Sequence, residues 1–199
     1  MRKCTLHKPD NFTYAFAIAS TSTLSDEKVG ILLHEHAVVD VYGLDLFVDT
    51  VVVFFYLKFW RVDMARKVFN KMSVRDTVSW NSMISGLVGN CCFDDAVWVL
   101  GDMLKDGGIQ LDSTTVAAVL PALAGLQELI LGMEVQCLAL KLEFHSYLHV
   151  LTGLISLHSK CGEMTGFKTK VFNVVTRNYK EPVKWTVKWV LEGRRGVVG

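Results

Sequence analysis

Residues Asp63-Met64-Ala65-Arg66-Lys67-Val68-Phe69-Asn70-Lys71-Met72 return 31 residues later as Asp94-Asp95-Ala96-Val97-Trp98-Val99-Leu100-Gly101-Asp102-Met103. Both stretches have Asp first, Ala third, two apolar residues in the middle and Met last. Between them lies Asp76-Thr77-Val78-Ser79-Trp80-Asn81-Ser82-Met83-Ile84-Ser85-Gly86. A pattern that returns after roughly 30 to 40 residues is typical of stacked helical hairpins, in which neighbouring repeats bury a continuous layer.

The repeat extends over most of the chain. Counting each copy from four residues before its fifth position gives segments of 35, 31, 36, 35 and 34 residues, namely 11–45, 46–76, 77–112, 113–147 and 148–181. Twenty residues into the first four segments the residue is always small: Gly30, Ala65, Ala96 and Gly132. Glycine costs about 1 kcal/mol against alanine in a helix, so its use there indicates a close approach of two helices.

The quoted residues resemble the pentatricopeptide repeat family. The sequence Val78-Ser79-Trp80-Asn81-Ser82-Met83-Ile84-Ser85-Gly86, followed by a second helix ending in Met, carries the likeness, and His158-Ser159-Lys160-Cys161-Gly162 is similar to the family's Tyr-Ala-Lys-Cys-Gly. The order of copies resembles the land-plant class that alternates standard, long and short repeats: 11–45 long, 46–76 short, 77–112 standard, 113–147 long, 148–181 short and degenerate. The resemblance implies an all-α, right-handed superhelical solenoid of helix-turn-helix hairpins.

In that family one repeat reads one RNA base, through the fifth residue of a copy and its last residue. The fifth residues here are Ala15, Thr50, Asn81, Ala117 and Thr152, and the last are Asp45, Asp76, Asp112, Tyr147 and Glu181. The pair Asn81 and Asp112 resembles the one that favours uridine, and Thr50 with Asp76 the one that favours guanine. Phe47 and Val78, at second positions, would flank the bases. The resemblance therefore predicts a preference written N-G-U-N-N.

A structural interpretation of the same residues stays open. Asp45, Asp76 and Asp112 also fit helix N-caps or turns, and Asn81 fits a polar residue near a helix start. His34-Glu35-His36 brings three metal-capable side chains together in sequence, but residues two apart diverge on a helix, so a packing histidine is favoured and no metal or other cofactor is expected.

Composition limits the possible functions. A net charge of +1 is low for a nucleic-acid binder and predicts modest RNA affinity. Five cysteines without Cys-x-x-Cys spacing indicate neither a disulfide framework nor a zinc site. The most apolar run, Val51–Leu57, is far shorter than the roughly 20 residues of a membrane helix, so no membrane association is expected. Its β-branched and aromatic residues favour a strand, whereas the repeat places it in a first helix.

The end of the chain departs from the pattern. Pro182-Val183-Lys184-Trp185 and the residues after it align with the first helix of a sixth copy, and 182–199 then ends without a second helix. We therefore interpret the sequence as a fragment or a truncated product. The first residues are too few for a transit peptide, so a targeting peptide is not expected within this chain.

No catalytic motif is evident. The deaminase-like domain that ends some members of this plant class needs His-x-Glu and a later Cys-x-x-Cys, and neither occurs in the sequence. The sequence thus predicts no enzyme but a single-stranded RNA-binding part of an organellar editing or processing factor, with catalysis supplied by editing-complex proteins and no DNA partner. The resemblance places it in the mitochondrion, with the chloroplast as alternative. The competing hypothesis is a helical scaffold that binds protein, or a decayed fragment that does not bind RNA.

Overall fold

A computed structural model describes residues 8–40, 42, 45–106, 109 and 111–162, and the chain divides into two compact units, Met1–Gln110 and Leu111–Gly199. Within those described residues there are nine α-helices, one short 3-10 helix and no strand. The expected all-α fold class is therefore confirmed. The predicted second helix of the fifth copy and the truncated sixth copy lie outside the described residues.

The first unit contains three helical hairpins. Its helices are α1 (Asn11–Leu24), α2 (Glu27–Val39), α3 (Leu46–Lys58), α4 (Val62–Lys71), α5 (Thr77–Gly89) and α6 (Phe93–Lys105). Helix α3 is central, since it packs against α1, α4 and α5. The first helices α1, α3 and α5 are thus successive neighbours, and their shared faces form the core.

The second unit repeats this arrangement over a shorter stretch. Helices α7 (Ser113–Leu126) and α8 (Leu129–Lys141) form a hairpin, and a short 3-10 turn leads into α9 (Leu148–Lys160). Helix α7 packs against both α8 and α9, so the first helices are again neighbours.

Each first helix begins at the residue from which its segment was counted: Asn11, Leu46, Thr77, Ser113 and Leu148. An aspartate with extended backbone precedes each of the first four of these helices. Its side chain accepts a hydrogen bond from a backbone N–H of the first turn, as is usual for an N-cap, and the four residues are Asp10, Asp45, Asp76 and Asp112. The division of the chain into five repeats with those outer bounds stays a prediction.

Residues Val51–Leu57, for which propensity predicts a strand and the repeat period a helix, lie in helix α3. Local propensity favours a strand there, yet Val52, Val53 and Phe55 are fully buried in a helix between α1, α4 and α5. Burying a large apolar side chain contributes about 1.5–3 kcal/mol, which exceeds the few tenths by which β-branched residues disfavour a helix. The repeat period therefore predicts this element correctly and propensity does not.

The small residues at the twentieth position of four copies are all buried, as a close helix approach requires. A Cβ on Gly30 would fall within 3.0 Å of the Phe55 ring, and one on Gly132 would overlap the end of Leu157. Phe55 and Leu157 occupy equivalent positions in the short copies that follow. The same contact thus joins a long copy to the next short copy in each unit.

The hairpin turns share one backbone feature. The fifteenth residue of every copy has a positive φ, between 57° and 77°: Ser25, Trp60, Cys91, Gln127 and Gly162. Residues other than glycine adopt this left-handed conformation at a cost of about 1–2 kcal/mol. Only the fifth copy has glycine there, and this glycine ends the His158–Gly162 motif quoted above.

Candidate functional site

Three aspartates at the last positions of copies, of which Asp76 and Asp112 are predicted to read bases, are helix N-caps. Asp45 Oδ1 accepts from the N–H groups of Phe47 and Val48 in α3, at 3.0 and 3.1 Å. Asp76 Oδ1 accepts from Ser79 N at 2.8 Å, and Ser79 Oγ in turn lies 3.0 Å from Asp76 N, which completes a capping box. Asp112 Oδ1 caps α7 through Thr115 N at 2.7 Å. The structural interpretation of these residues is confirmed, but a carboxylate has a second oxygen.

That second oxygen distinguishes Asp45 from Asp76. Asp45 Oδ2 accepts a hydrogen bond from Asn11 Nδ2 at 3.0 Å, so both of its oxygens have partners. Asp76 Oδ2 has no hydrogen bond within the described part of the chain. Asp76 therefore keeps an acceptor for an external group, whereas Asp45 is occupied by the structure of its own copy.

A groove on the first helices of the first unit brings four of the predicted residues together. Its volume is about 580 Å³, and its lining includes Phe47 and Thr50 of α3, Asp76, and Val78 of α5. Phe47 and Val78 are exposed, whereas Thr50 is only 9% exposed and lies deeper. The pair predicted to read guanine and the two predicted base-flanking residues thus share one concave surface.

The hydroxyl of Thr50 is already oriented. Thr50 Oγ1 donates to the carbonyl oxygen of Leu46 one turn earlier, at 2.7 Å. Its proton is therefore used within α3, and the oxygen presents lone pairs only. The predicted reading pair thus offers two hydrogen-bond acceptors, Thr50 Oγ1 and Asp76 Oδ2, in the groove that its base-flanking side chains also line.

The other predicted residues are distributed over both units. Asn81 lies in α5 of the first unit and is 8% exposed, and Asp112 belongs to the second unit. Thr152 lies exposed in α9 of the second unit, where its hydroxyl donates to His149 O at 3.0 Å. Glu181, the predicted partner of Thr152, lies outside the described residues.

Sequence reasoning missed the rest of the groove lining. Six further residues line it, and they are Ala19, Asp45, Leu46, Val51, Phe54 and Ser82. Val51 and Ser82 each follow a predicted base-flanking residue by one helical turn, and Phe54 follows Phe47 by two. The i+4 and i+7 spacing from Phe47 and Val78 is the signal that identifies this face.

An aromatic cluster was missed as well. The rings of Phe12 and Phe16 on α1 both contact Phe47 on α3, with ring centroids 5.5 and 6.3 Å apart. Phe12 is 56% exposed and Phe16 64% exposed, so the cluster is open to solvent. Large apolar side chains that stay exposed and grouped are often a binding surface.

The charged side chains that line the groove are acidic. Among its ten described lining residues, the ionisable side chains are those of Asp45 and Asp76. Nearby, Asp49 is 4% exposed, and burial, followed by the charge of Asp45, raises the pKa of its carboxyl to about 7. A groove of this charge admits uncharged groups such as bases more readily than phosphates.

Within the pattern His34-Glu35-His36, His34 packs against Tyr56, whereas Glu35 and His36 are exposed. His34 Nδ1 lies 2.9 Å from the Tyr56 hydroxyl, and burial lowers the pKa of His34. In the second unit the equivalent pair is Gln136 and His158, 2.9 Å apart between Oε1 and Nε2. In the part of the chain that the structure describes, no group of three or more His, Cys, Asp or Glu side chains is arranged to hold a metal ion.

Among the described helices, none combines the length and the apolar character needed to cross a membrane.

Comparison with known proteins places this architecture in a family. The sequence model described as "PPR repeat" matches residues 78–108, which cover α5 and α6. The pentatricopeptide repeat-containing protein At4g30700 of Arabidopsis thaliana is 43% identical over 182 residues, which are 92% of this chain and 22% of that protein. The chain belongs to the pentatricopeptide repeat family.

Further family members match this pentatricopeptide repeat chain at lower identity. The Arabidopsis thaliana protein At2g02750 is 36% identical over 79% of this chain and 25% of its own length. The protein named DOT4, chloroplastic, from the same plant, is 31% identical over 94% of this chain and 21% of its own length. The chain thus spans about a fifth to a quarter of these curated relatives.

A solved structure shares the fold. The pentatricopeptide repeat protein PPR10 from maize matches with a TM-score of 0.62 and 16% sequence identity, over 86% of this chain and 25% of that one. At this identity the likeness concerns the helical-hairpin fold alone.

Proposed function

We propose that this chain is a sequence-specific, single-stranded RNA-binding segment of an organellar RNA editing or RNA processing factor, in the class that alternates standard, long and short repeats. The observation that carries the proposal is the groove of the first unit, where Thr50 and Asp76 lie together with Phe47 and Val78. A reading pair between two exposed flanking side chains is what base-by-base recognition requires.

The hydrogen-bond inventory of the groove supports guanine at the short copy. Thr50 Oγ1 has donated its proton to Leu46 O, and Asp76 retains Oδ2 as an acceptor. Both groups therefore accept, so the preferred base edge carries adjacent donors. Guanine has two, N1–H and the N2 amino group, on its Watson–Crick edge, whereas uracil offers one donor.

The remaining positions complete the proposed preference N-G-U-N-N. Asn81 with Asp112 is proposed to favour uridine at the third copy. Ala15 and Ala117 have no polar side-chain group, which supports the assignment of no base preference to the long copies. Thr152 with Glu181 is assigned no base.

Catalysis, in this proposal, comes from editing-complex proteins or from other parts of the longer protein, and this chain supplies specificity. Neither DNA nor a membrane is a proposed partner. We propose the mitochondrion as the site of action. The word chloroplastic in the name of the relative DOT4 supports the chloroplast as the alternative.

The test is a fluorescence-anisotropy titration of the purified chain with a five-nucleotide RNA containing GU at its second and third positions, against the same RNA with CA there. We expect tighter binding of the GU strand. Equal affinity for both strands, in a chain shown to be helical by circular dichroism, would refute the proposal.

The second candidate function is a protein-binding scaffold. The observation that favours it is the apolar groove, whose only ionisable lining residues in the described structure are carboxylates. Such a surface also suits an apolar peptide carrying a Lys or Arg. Under this alternative neither RNA binds, and pull-down from organellar extract recovers a partner that a Thr50→Arg, Phe54→Asp variant loses.

A further inference from the structure

The base-flanking and reading positions of the first copy differ from those of the second copy. A base that stacks between two flanking side chains needs these side chains to be about 7 Å apart, since each of the two stacking contacts takes about 3.5 Å. The flanking residues of the first and second copies are Phe12 and Phe47, and their ring centroids are 5.5 Å apart. The two rings contact each other, so the slot between them is closed.

The fifth and last residues of the first copy are also poorly suited to hydrogen bonding with a base. Its fifth residue, Ala15, is buried and has no polar side-chain atom. Its last residue, Asp45, is bonded through one oxygen to Phe47 N and Val48 N and through the other to Asn11 Nδ2. The first copy therefore offers a base edge no polar fifth residue, and its last residue already accepts three hydrogen bonds within the copy and the helix that follows.

What the first copy does offer is aromatic surface. Phe16 lies one helical turn beyond Phe12, is 64% exposed, and meets Phe47 edge-on with an interplanar angle of 74°. In an edge-on contact Phe47 covers at most one face of the Phe16 ring, so at least one face is left uncovered by Phe47. Each base has a π-face, so stacking on a free aromatic ring binds any base.

We infer that Phe16, supported by Phe12 and Phe47, is a sequence-independent stacking site for the RNA base that precedes the guanine. This inference rests on the proposed RNA-binding function and adds a residue outside the base-reading positions. The site would take all four bases, with purines favoured by their larger ring area. It would anchor the strand so that the next base enters the groove beside Thr50 and Asp76.

Guanine preference is measured with the GU and CA strands of the titration above, and a second experiment compares five RNAs that share guanine and uridine at their second and third positions. Their first position carries A, C, G, U or an abasic sugar, and Kd is measured by fluorescence anisotropy with the full chain. We expect the four bases to bind within about fivefold of each other and the abasic strand to bind about fivefold to a hundredfold more weakly.

The Phe16→Ala variant tests the residue itself. It should bind base-containing strands as weakly as the abasic strand, while Phe16→Leu should recover little because it restores apolar area without a π-face. The matched control is Trp98→Ala, which removes an exposed aromatic residue of α6 outside the groove and should leave every Kd unchanged. Circular dichroism of each variant establishes that the helices are intact.

The results separate two failures. If the chain prefers guanine at the second position but binds the abasic strand as tightly as the others, the stacking site is refuted and the proposed function stands. Strong selectivity among the four bases at the first position would also refute it. If guanine preference at the second position is absent, the proposed function fails, and the inference with it.

Discussion

Asp49 is a buried carboxyl group on the central helix of the first unit, and its ionisation opposes folding. Burial and the charge of Asp45 raise its pKa from 3.8 to about 7. Between these values the folded chain holds a proton that the unfolded chain has lost, so the free energy of unfolding falls as pH rises. We expect a loss on the order of 2–4 kcal/mol between pH 4 and pH 7.

The Asp49→Asn variant should remove this pH dependence, because the amide stays neutral. Urea unfolding at pH 4.5 and pH 7.5 measures it, and the variant should exceed the wild type in stability only at the higher pH. Asp94→Asn, at an exposed carboxylate of α6, controls for the loss of one negative charge. Equal stabilisation by both variants would contradict the assignment to Asp49.

Thr50 is the residue on which guanine preference depends. Replacing it with Val keeps the shape and removes the acceptor oxygen, so we expect the preference for guanine over adenine at the second base to fall about twofold to tenfold. Thr50→Ser keeps the hydroxyl and its bond to Leu46 O and should retain the preference. Competition titrations with the two RNAs measure it, and a Val variant that still prefers guanine would exclude this role.

At the level of helix pairs, Gly30 sets how closely α2 approaches α3. A Cβ there would fall within 3.0 Å of the Phe55 ring and of Thr21 Oγ1. Phe55 is fully buried and its ring contacts Tyr56 and Phe59, so it has little room to move. We expect Gly30→Ala to lower the free energy of unfolding by about 1–3 kcal/mol, although alanine is the better helix former.

Two other glycines provide the comparison for this variant. Gly132→Ala should cost less, since the obstructing atoms are the flexible end of Leu157. A Cβ on Gly101 in α6 meets nothing within 4 Å, so Gly101→Ala should stabilise by about 0.5–1 kcal/mol. Urea denaturation ranks the three variants. Stabilisation by all three would show that close approach at Gly30 does not limit the fold.

Sequence spacing predicted the elements well because a repeat imposes one frame on the whole chain. Trp80, Met72 and Met103 belong to the repeated stretches with which the frame begins, and all three are buried. The nearness of Thr50 and Asp76 followed in the same way, since both occupy reading positions of one copy.

The remaining features depend on distances between helices of neighbouring copies, which a period does not contain. The bond from Asn11 to Asp45 joins the first and last residues of one copy across 34 positions. The contact of Phe12 with Phe47 depends on how closely α1 lies to α3. Exposed side chains such as these follow no periodic burial pattern. The sequence therefore shows which residue type stands at each position but not which residue it contacts.

At the scale of the whole molecule, charge predicts how RNA affinity responds to salt. The net charge is +1, and the described groove lining contains no Lys or Arg. Each phosphate neutralised on a single strand contributes about −0.7 to the slope of log K against log salt. If the bases face the groove and the phosphates face solvent, we expect a slope shallower than about −1.5. Anisotropy titrations between roughly 50 and 300 mM KCl measure this slope.

A cation placed in the groove should change that slope, and the same cation elsewhere should not. Ser82→Lys adds a charge to the groove lining, whereas Leu104→Lys adds it on the exposed surface of α6 outside the groove. Only the first should steepen the slope, by about 0.7. A wild-type slope beyond about −3 would mean that several phosphates contact basic residues on another surface, and RNA would then not follow the groove of Thr50 and Asp76.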